Sequence, residues 1–130
     1  MDVIEVATRR HRQLVDITSF VQRAVAAAGV AEGMCHVFIP HTTAAVLINE
    51  NADPDVGDDI LAALAAMLPG LTWKHVEGNS DAHVMATLVG ASVLVPIADG
   101  DLALGRWQGV YLLELDGPRK REVWVTCLRV

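Results

Sequence analysis

Two histidines and a glutamate lie within nine residues of a markedly apolar chain, in the segment His75-Val-Glu-Gly-Asn-Ser-Asp-Ala-His83. Imidazole binds transition metals and exchanges protons near neutral pH, and a carboxylate can assist in either task. On an extended backbone His75 and Glu77 share one face, because successive side chains alternate. The segment therefore offers His75, Glu77 and His83 as candidate acid–base residues.

The same segment also has a purely structural interpretation. Asn79 or Ser80 can cap a helix that follows, and Asp81 can stabilise its first turn. His83 would then lie in that turn, where the helix dipole favours the neutral imidazole that can act as a ligand or base. The chain contains neither the HExxH of zincins nor the PCxxC of zinc deaminases, so the segment alone leaves both interpretations open.

A second polar cluster occupies residues 40–54, PHTTAAVLINENADP, and carries His41 between two runs typical of strands. Its structural alternative is a turn histidine followed by polar loop residues, with Asp53 as a helix cap. If the fold brings His41 beside His75 and His83, three imidazoles could hold a zinc-like ion with one position open to water or substrate.

A third cluster, GRWQGVYLLELDGPR, spans residues 105–119. On a regular strand Gln108 and Glu114 share a face with apolar residues, and an isolated strand glutamate is usually solvated. Arg119 could bind an anion, because the guanidinium fork matches phosphate oxygens. Its alternative is an arginine that pairs with Asp116 in a turn.

The elements that would position these clusters follow from periodicity and turn residues. The last third of the chain holds two β-type runs that the turn DGPRK would join as a hairpin. Further strands are predicted at residues 3–7, 13–17, 34–39, 44–48 and 92–97. A first helix is predicted over residues 20–28, with Thr18 as its N-cap and Gly29 at its end. A second runs from Asp53-Pro54 to Pro69-Gly70, and a third covers residues 82–89.

Strands at both ends of the chain, with helices between them, favour an α+β fold over a doubly wound parallel one, because strand and helix do not alternate regularly. A length of 130 residues suits one domain. Residues 1–130 are therefore predicted to form a single compact domain, with a largely antiparallel sheet or sandwich and two to three helices.

Composition excludes several classes of partner. A net charge of −6 disfavours nucleic acid, and no apolar run is long enough to span a membrane. The N-terminus lacks the features of a secretory signal, which favours a cytoplasmic location. Cys35 and Cys127 belong to no CxxC pair and are predicted to be buried, reduced thiols.

Three strings, HTTAAVLINENADPDV, HVEGNSDAH and LALGRWQGVYLLELDGPR, closely resemble in this order the YjbQ family, whose members are also described as secondary thiamine-phosphate synthase-like proteins. The resemblance implies an α+β homotrimer whose polar motifs line a pocket that can hold a divalent ion, zinc or magnesium. It also implies a weak ability to join hydroxymethylpyrimidine diphosphate and thiazole phosphate into thiamine phosphate, with release of pyrophosphate.

The resemblance also assigns roles by position. His41, His75 and His83 become metal ligands or acid–base groups, and the substrate pocket would include Asn49, Glu77, Asn79, Gln108 and Arg119. Two hypotheses follow. The protein is a metal-assisted enzyme that acts on a small phosphorylated substrate, or it is a non-catalytic trimer that binds a small phosphorylated metabolite. The chain has no glycine-rich phosphate loop, so poor turnover is expected in the first case.

Overall fold

The chain forms eight strands and three helices, and the computed structural model describes all of residues 1–130. The strands are β1 (Asp2–Ala7), β2 (Gln13–Asp16), β3 (Gly33–Phe38), β4 (Ala44–Glu50), β5 (Ser92–Ala98), β6 (Asp101–Leu102), β7 (Gln108–Glu114) and β8 (Lys120–Arg129). The helices are α1 (Thr18–Ala28), α2 (Pro54–Ala66) and α3 (Ser80–Val89). The predicted α+β class is confirmed.

The strands build two antiparallel sheets. The larger sheet has the order β1-β8-β3-β5-β6, and the smaller has the order β2-β7-β4. In the larger sheet, the C-terminal strand β8 lies between β1 and β3, with Val125 opposite both Asp2 and Val37. The last strand therefore joins the beginning of the chain to its middle.

Two hydrophobic cores lie on the two faces of the smaller sheet. Both sheets and α1 contribute to the main core, which includes Val25, Leu112 and Val125. On the other face, Leu113 of β7 packs with Met85 of α3, and leucines of α2 lie at the edge of this second core. The smaller sheet is thus covered on both sides, which explains why β7 is almost continuously apolar.

The predicted hairpin between the last two strands is wrong. β7 is the central strand of the smaller sheet and already pairs with β2 and β4, so it has no free edge for β8. The segment Leu115–Arg119 instead carries the chain from one sheet to the other. Turn residues such as those of DGPRK indicate a change of direction, but they do not specify the strand that comes next in the sheet.

Two predicted helix boundaries are confirmed. Gly29 ends α1 in the left-handed conformation, with φ of 66°, which costs glycine little because it has no Cβ. α2 begins at Pro54, and the side chain of Asp53 accepts a hydrogen bond of 2.9 Å from the backbone N–H of Asp55. Proline at the first position lacks the N–H group that would otherwise need a partner there.

Thr18 does not have its predicted role as N-cap of α1. It is the first helical residue, and its hydroxyl donates to the carboxylate of Asp16 at 2.6 Å. The same oxygen accepts a hydrogen bond of 2.9 Å from the backbone N–H of Val110. Because Val110 belongs to β7, the hydroxyl of Thr18 attaches the start of α1 to the smaller sheet rather than satisfying the helix's own backbone.

The two cysteines, far apart in sequence, lie opposite each other on β3 and β8 as free thiols. Cys35 is buried as predicted, whereas Cys127 is only partly buried. Burial, with the neighbouring Cys127, raises the pKa of Cys35 to about 12. None of the three helices has the length and apolar character that crossing a membrane requires.

The cap of α2 can be tested directly. Asp53→Ala should lower the free energy of unfolding by about 1 kcal/mol, because the N–H of Asp55 loses its acceptor. Asp59→Ala, in an exposed position within the same helix, is the matched control and should not destabilise the protein. Urea unfolding of the two variants measures the difference, and an equal effect of both substitutions would contradict the capping role.

Candidate functional site

An open cleft of about 610 Å³ lies where the β3–β4 connection, the start of α3 and the start of β8 meet. Five of the residues predicted for the site line it: His41, Glu77, Asn79, His83 and Arg119. Its remaining lining residues are Phe38, Ile39, Pro40, Thr42, Thr43, Ala91 and Arg121. Residues from all three sequence clusters therefore meet in one cavity of a single chain.

His41 has a defined hydrogen-bonding state. Its Nε2 accepts a hydrogen bond of 2.8 Å from the backbone N–H of Glu122. Burial and the positive charge of Arg121 lower the pKa of His41, so the ring is neutral at pH 7. A neutral imidazole that accepts at Nε2 carries its proton on Nδ1, and His41 can therefore present an N–H donor.

His75 and His83 form a second pair of imidazoles, at the start of α3. Their ring centroids are 5.5 Å apart, and the ring planes are nearly perpendicular at 89°. Nδ1 of His75 lies 3.0 Å from the hydroxyl of Ser80, and its Nε2 lies 3.7 Å from a carboxylate oxygen of Glu77. The side chains of His75 and Glu77 are thus close, but on a loop rather than on a strand, and only Glu77 and His83 line the cleft.

Asn79 connects α3 to the segment that follows β7. It occupies the N-cap position of α3 without making a side-chain cap hydrogen bond, so its expected capping role is not observed. Its amide instead donates to the carboxylate of Asp116 at 2.9 Å, and its buried carbonyl oxygen has no partner within the chain. Ser80 does not cap through its side chain either, because its hydroxyl contacts His75.

Arg119 also binds Asp116, as its structural alternative predicted. Its Nε donates to the backbone carbonyl of Asp116 at 2.8 Å, and its Nη2 donates to the carboxylate at 2.9 Å. Hydrogen bonds from Asn79 and then from Arg119 lower the pKa of Asp116 against the opposing effect of burial. The guanidinium is half exposed and its Nη1 has no partner, so one edge of Arg119 is available to a ligand.

The floor of the cleft holds a buried ion pair that sequence analysis missed. Arg121 donates from Nε and Nη2 to the carboxylate of Glu114, and both side chains are almost fully buried. Arg121 also donates to the backbone carbonyl and hydroxyl of Thr43, and the hydroxyl of Thr8 donates to Glu114 at 2.6 Å. Glu114 is therefore not the solvated strand residue that was expected.

Hydrogen bonding determines the charge of Glu114. Burial alone would raise the pKa of this carboxyl, but hydrogen bonds from Arg121, from Thr8 and from the backbone of Asp116 outweigh burial and lower it. The available sequence signal was strand alternation, which places Glu114 on the same face as Val110 and Leu112 and hence toward the core. The identity of its partner could not be read from that pattern.

Asn49 and Gln108 do not join the cleft within one chain. They lie at the far end of the smaller sheet, where Asn49 pairs with Gly109 and Gln108 with Glu50. At ~3.3 Å per residue, the length of β4 separates Asn49 from the His41 end by roughly 17 Å. Their side-chain oxygens accept hydrogen bonds from nearby backbone N–H groups, at 2.7 Å in both cases.

A preformed metal site is not present. No three His, Cys, Asp or Glu side chains are grouped so that they could hold an ion. His41, His75 and His83 were expected as ligands, but Nε2 of His41 is occupied by the N–H of Glu122 and Nδ1 of His75 faces Ser80. The residues therefore do not fit a three-histidine centre.

Comparison with known proteins gives consistent matches over nearly the whole chain. Residues 2–130 match the family model described as UPF0047 protein YjbQ-like. A UPF0047 protein of Methanocaldococcus jannaschii is 44% identical over 93% of this chain and 88% of its own length. The protein YugU of Bacillus subtilis is 38% identical over 96% of each chain.

Solved structures show the same fold. The crystal structure of an uncharacterised conserved protein of the YjbQ/UPF0047 family from Clostridium acetobutylicum has a TM-score of 0.96 and 49% identity, over 98% of this chain and 100% of that one. A protein of unknown function from Sulfolobus solfataricus gives a TM-score of 0.94 at 39% identity, over 99% and 96% of the two chains. These names state no substrate.

The buried ion pair gives a prediction about stability and pH. Glu114→Gln should cost about 3–5 kcal/mol in the free energy of unfolding at pH 7, because it leaves the charge of Arg121 buried without a counterion. Glu5→Gln, which removes an exposed partner of Lys120, is the control and should change stability by less than about 0.5 kcal/mol.

The free energy of unfolding at acid pH provides a second test of the Arg121–Glu114 ion pair. Because the pKa of Glu114 is lower in the folded than in the unfolded chain, the pair contributes fully above the ordinary value of 4.5. That contribution disappears as pH falls through the lower, folded pKa. Urea unfolding between pH 7 and 3 should show this loss in the wild type and not in Glu114→Gln, and parallel curves would contradict it.

Proposed function

The chain belongs to the YjbQ-like family of UPF0047 proteins, and we propose that its cleft binds a small phosphorylated substrate and weakly catalyses the formation of thiamine phosphate. One observation carries the proposal: a single open cleft brings the free edge of Arg119 together with His41, His83 and Asn79. Each of these side chains can donate a hydrogen bond to an anion, given the Nδ1 proton of His41 and a proton on His83. A cytoplasmic location belongs to the same proposal.

The charges around the cleft support anion binding, with Arg119 as the principal cation. Both arginines pair with a carboxylate, but Arg121 is almost fully buried with Glu114, whereas Arg119 is half exposed beside Asp116. The cleft also adjoins the N-terminus of α3, because Asn79 and His83 line it. The positive end of a helix dipole favours phosphate, and this effect adds to the charge of Arg119.

The proposed reaction requires few groups from the protein. The thiazole nitrogen attacks the methylene carbon of the pyrimidine diphosphate, the new C–N bond forms, and the C–O bond breaks. The electron pair of that bond leaves with the diphosphate, whose developing negative charge Arg119 and a proton on His83 would stabilise. Formation of the thiazolium releases no proton, so Glu77, which also lines the cleft, would act only through its negative charge. With one free guanidinium in an open cleft, slow turnover is expected.

A divalent ion remains part of the proposal in a limited form. Because the three histidines are not grouped as ligands, magnesium would be held mainly by phosphate oxygens and water and would enter together with the substrate. Activity that requires added magnesium, in a protein that holds no magnesium after desalting, would agree with this arrangement. Zinc that co-purifies with the protein and is lost in His75→Ala would contradict it.

The alternative is a binding protein without significant catalysis. The neutralised charge of Arg121 favours it, since a single free guanidinium can hold one phosphate but provides little stabilisation for a departing diphosphate. Saturable binding of a phosphorylated compound, with no thiamine phosphate formed from the two half-substrates over long incubation, would support this alternative over the enzyme.

Arg119→Ala tests the anion site that both functions share. We expect inorganic phosphate to bind at least about tenfold more weakly to this variant in isothermal titration calorimetry, because a charge-assisted hydrogen bond is lost. Arg129→Ala removes an exposed arginine at the end of β8, outside the cleft, and serves as the control. Equal phosphate affinity of both variants and the wild type would exclude Arg119 as the anion-binding residue.

We also propose that the protein assembles as a homotrimer through the outer face of the larger sheet. The apolar side chains on this face are Val3, Met34, Phe38, Leu94, Pro96, Trp124 and Leu128. Phe38 and Trp124 pack together with ring centroids 5.7 Å apart, and Leu94 and Leu128 are more than half exposed. His36, Glu122 and Thr126 lie on the same face between these side chains. Exposed apolar clusters with polar neighbours are typical of contacts between proteins.

The oligomeric state can be measured by sedimentation equilibrium at micromolar concentration. The wild type should have three times the mass of the chain, and Leu94→Lys should shift the protein toward monomer because it would bury a charge in the interface. Leu88→Lys changes an equally exposed leucine on α3, outside that face, and should leave the mass unchanged. A monomeric wild type, or an unchanged mass in Leu94→Lys, would contradict the proposal.

A further inference from the structure

Cys35 and Cys127, the only cysteines of the chain, form a thiol pair to which the proposed function gives no role. They are register partners on the antiparallel strands β3 and β8, so their side chains lie on the same face of the larger sheet, toward the main core. Partners in such a ladder have Cα atoms about 4.5–5.5 Å apart, inside the range of about 4.4–6.8 Å that disulfides span. The backbone therefore already holds the two cysteines at a distance that one disulfide bond can bridge.

The two thiols differ in their access to solvent. Cys35 is fully buried, with Val95 of β5 opposite it on its other side. Cys127 is partly buried and lines a cavity of about 240 Å³. The small side chains of Ala27 and Ala28, at the end of α1, and the first residue of the chain form other parts of the cavity wall. A small reagent can therefore reach Cys127, whereas Cys35 has no exposed surface.

We propose that Cys127 and Cys35 form a site of reversible thiol–disulfide exchange, in which Cys127 attacks a small organic disulfide and Cys35 resolves the mixed disulfide. The inference is independent of the proposed phosphate site. At ~3.3 Å per residue along β8, Cys127 lies roughly 20 Å from Arg121 in the floor of the cleft.

The exchange has two steps. The thiolate of Cys127 attacks one sulfur of the organic disulfide, whose S–S bond breaks, and one half leaves as a thiol with the proton that Cys127 has lost. The thiolate of Cys35 then attacks the sulfur of Cys127, and the second half leaves as a thiol with the proton of Cys35. The two cysteines are thus oxidised by two electrons, and the organic disulfide is reduced to two thiols. An excess of added thiol reverses both steps.

The environment of Cys35 makes the second step the slower one. Burial, and after it the neighbouring Cys127, raises the pKa of Cys35 to about 12, so this thiol is almost entirely protonated at pH 7. Once Cys127 carries the mixed disulfide it can no longer ionise, and its charge no longer opposes that of Cys35, but the effect of burial remains. The mixed disulfide on Cys127 is therefore expected to accumulate before the bond to Cys35 closes.

The experiment exposes the folded full chain, at micromolar concentration, to 2-hydroxyethyl disulfide, and intact-mass spectrometry follows the products. The wild type should first gain one mercaptoethanol adduct, which peptide mapping places on Cys127, and should then become lighter than the starting chain by two hydrogens. Dithiothreitol should restore the starting mass. Cys35→Ala should stop at the adduct, because the resolving thiol is missing, and Cys127→Ser should not react, because Cys35 is inaccessible.

Five outcomes would overturn the exchange site. They are an adduct that persists in the wild type, the absence of any reaction, modification of Cys35 in Cys127→Ser, covalent dimers on a non-reducing gel, and a reaction that occurs only in urea that unfolds the chain. Peptide mapping of the wild type locates both the adduct and the final disulfide, so the test stands even if Cys35→Ala does not fold.

Discussion

The ion pair between Arg121 and Glu114 joins the two sheets at the point where the cleft forms. Arg121 belongs to β8 of the larger sheet, and Glu114 ends β7 of the smaller one. Two buried charges are tolerated because they are directly paired and because Thr8 donates to Glu114 while Thr43 accepts from Arg121. Such a pair adds little net stability, but it specifies how the two sheets pack, because any other packing would leave a buried charge without a partner. The crossing from β7 to β8, which replaces the expected hairpin, brings these two residues face to face.

The same pair determines how the cleft is charged. Burial, and after it the charge of Arg121, lower the pKa of His41, while the charge of Glu114 opposes this effect. The free cationic edge that faces a ligand then belongs to Arg119. Asp116 orients that guanidinium while Asn79 donates to the same carboxylate, so α3 and the segment after β7 are held at one distance from each other. The polar residues of the cleft thus divide into those that fix its shape and those that remain available to an anion.

The local structure of the chain was easier to predict from its sequence than the partners of individual side chains. Alternation and turn residues predicted the strands, and Gly29 and the Asp53-Pro54 pair predicted helix boundaries, because these signals depend only on nearby residues. The assignment of β7 and β8 to one hairpin was wrong because the choice of sheet depends on edges that β2 and β4 already occupy. Thr18 was the wrong cap for a related reason, since its hydroxyl bonds to Asp16 and to the distant Val110 rather than to its own helix.

In the candidate site, too, the positions of residues close in sequence were predicted better than the meeting of distant ones. Five of the predicted residues meet in the cleft, whereas Asn49 and Gln108 lie at the other end of β4. A motif such as HTTAAVLINENADP contains a whole strand, so the polar groups at its two ends are necessarily a strand length apart within one chain. The nine residues from His75 to His83 are different, because they turn back before α3 and keep His75 and His83 in contact. In this segment structural and chemical roles are carried by different residues. Asn79 donates to Asp116 and Ser80 contacts His75, and the ring of His83 lies in the wall of the cleft.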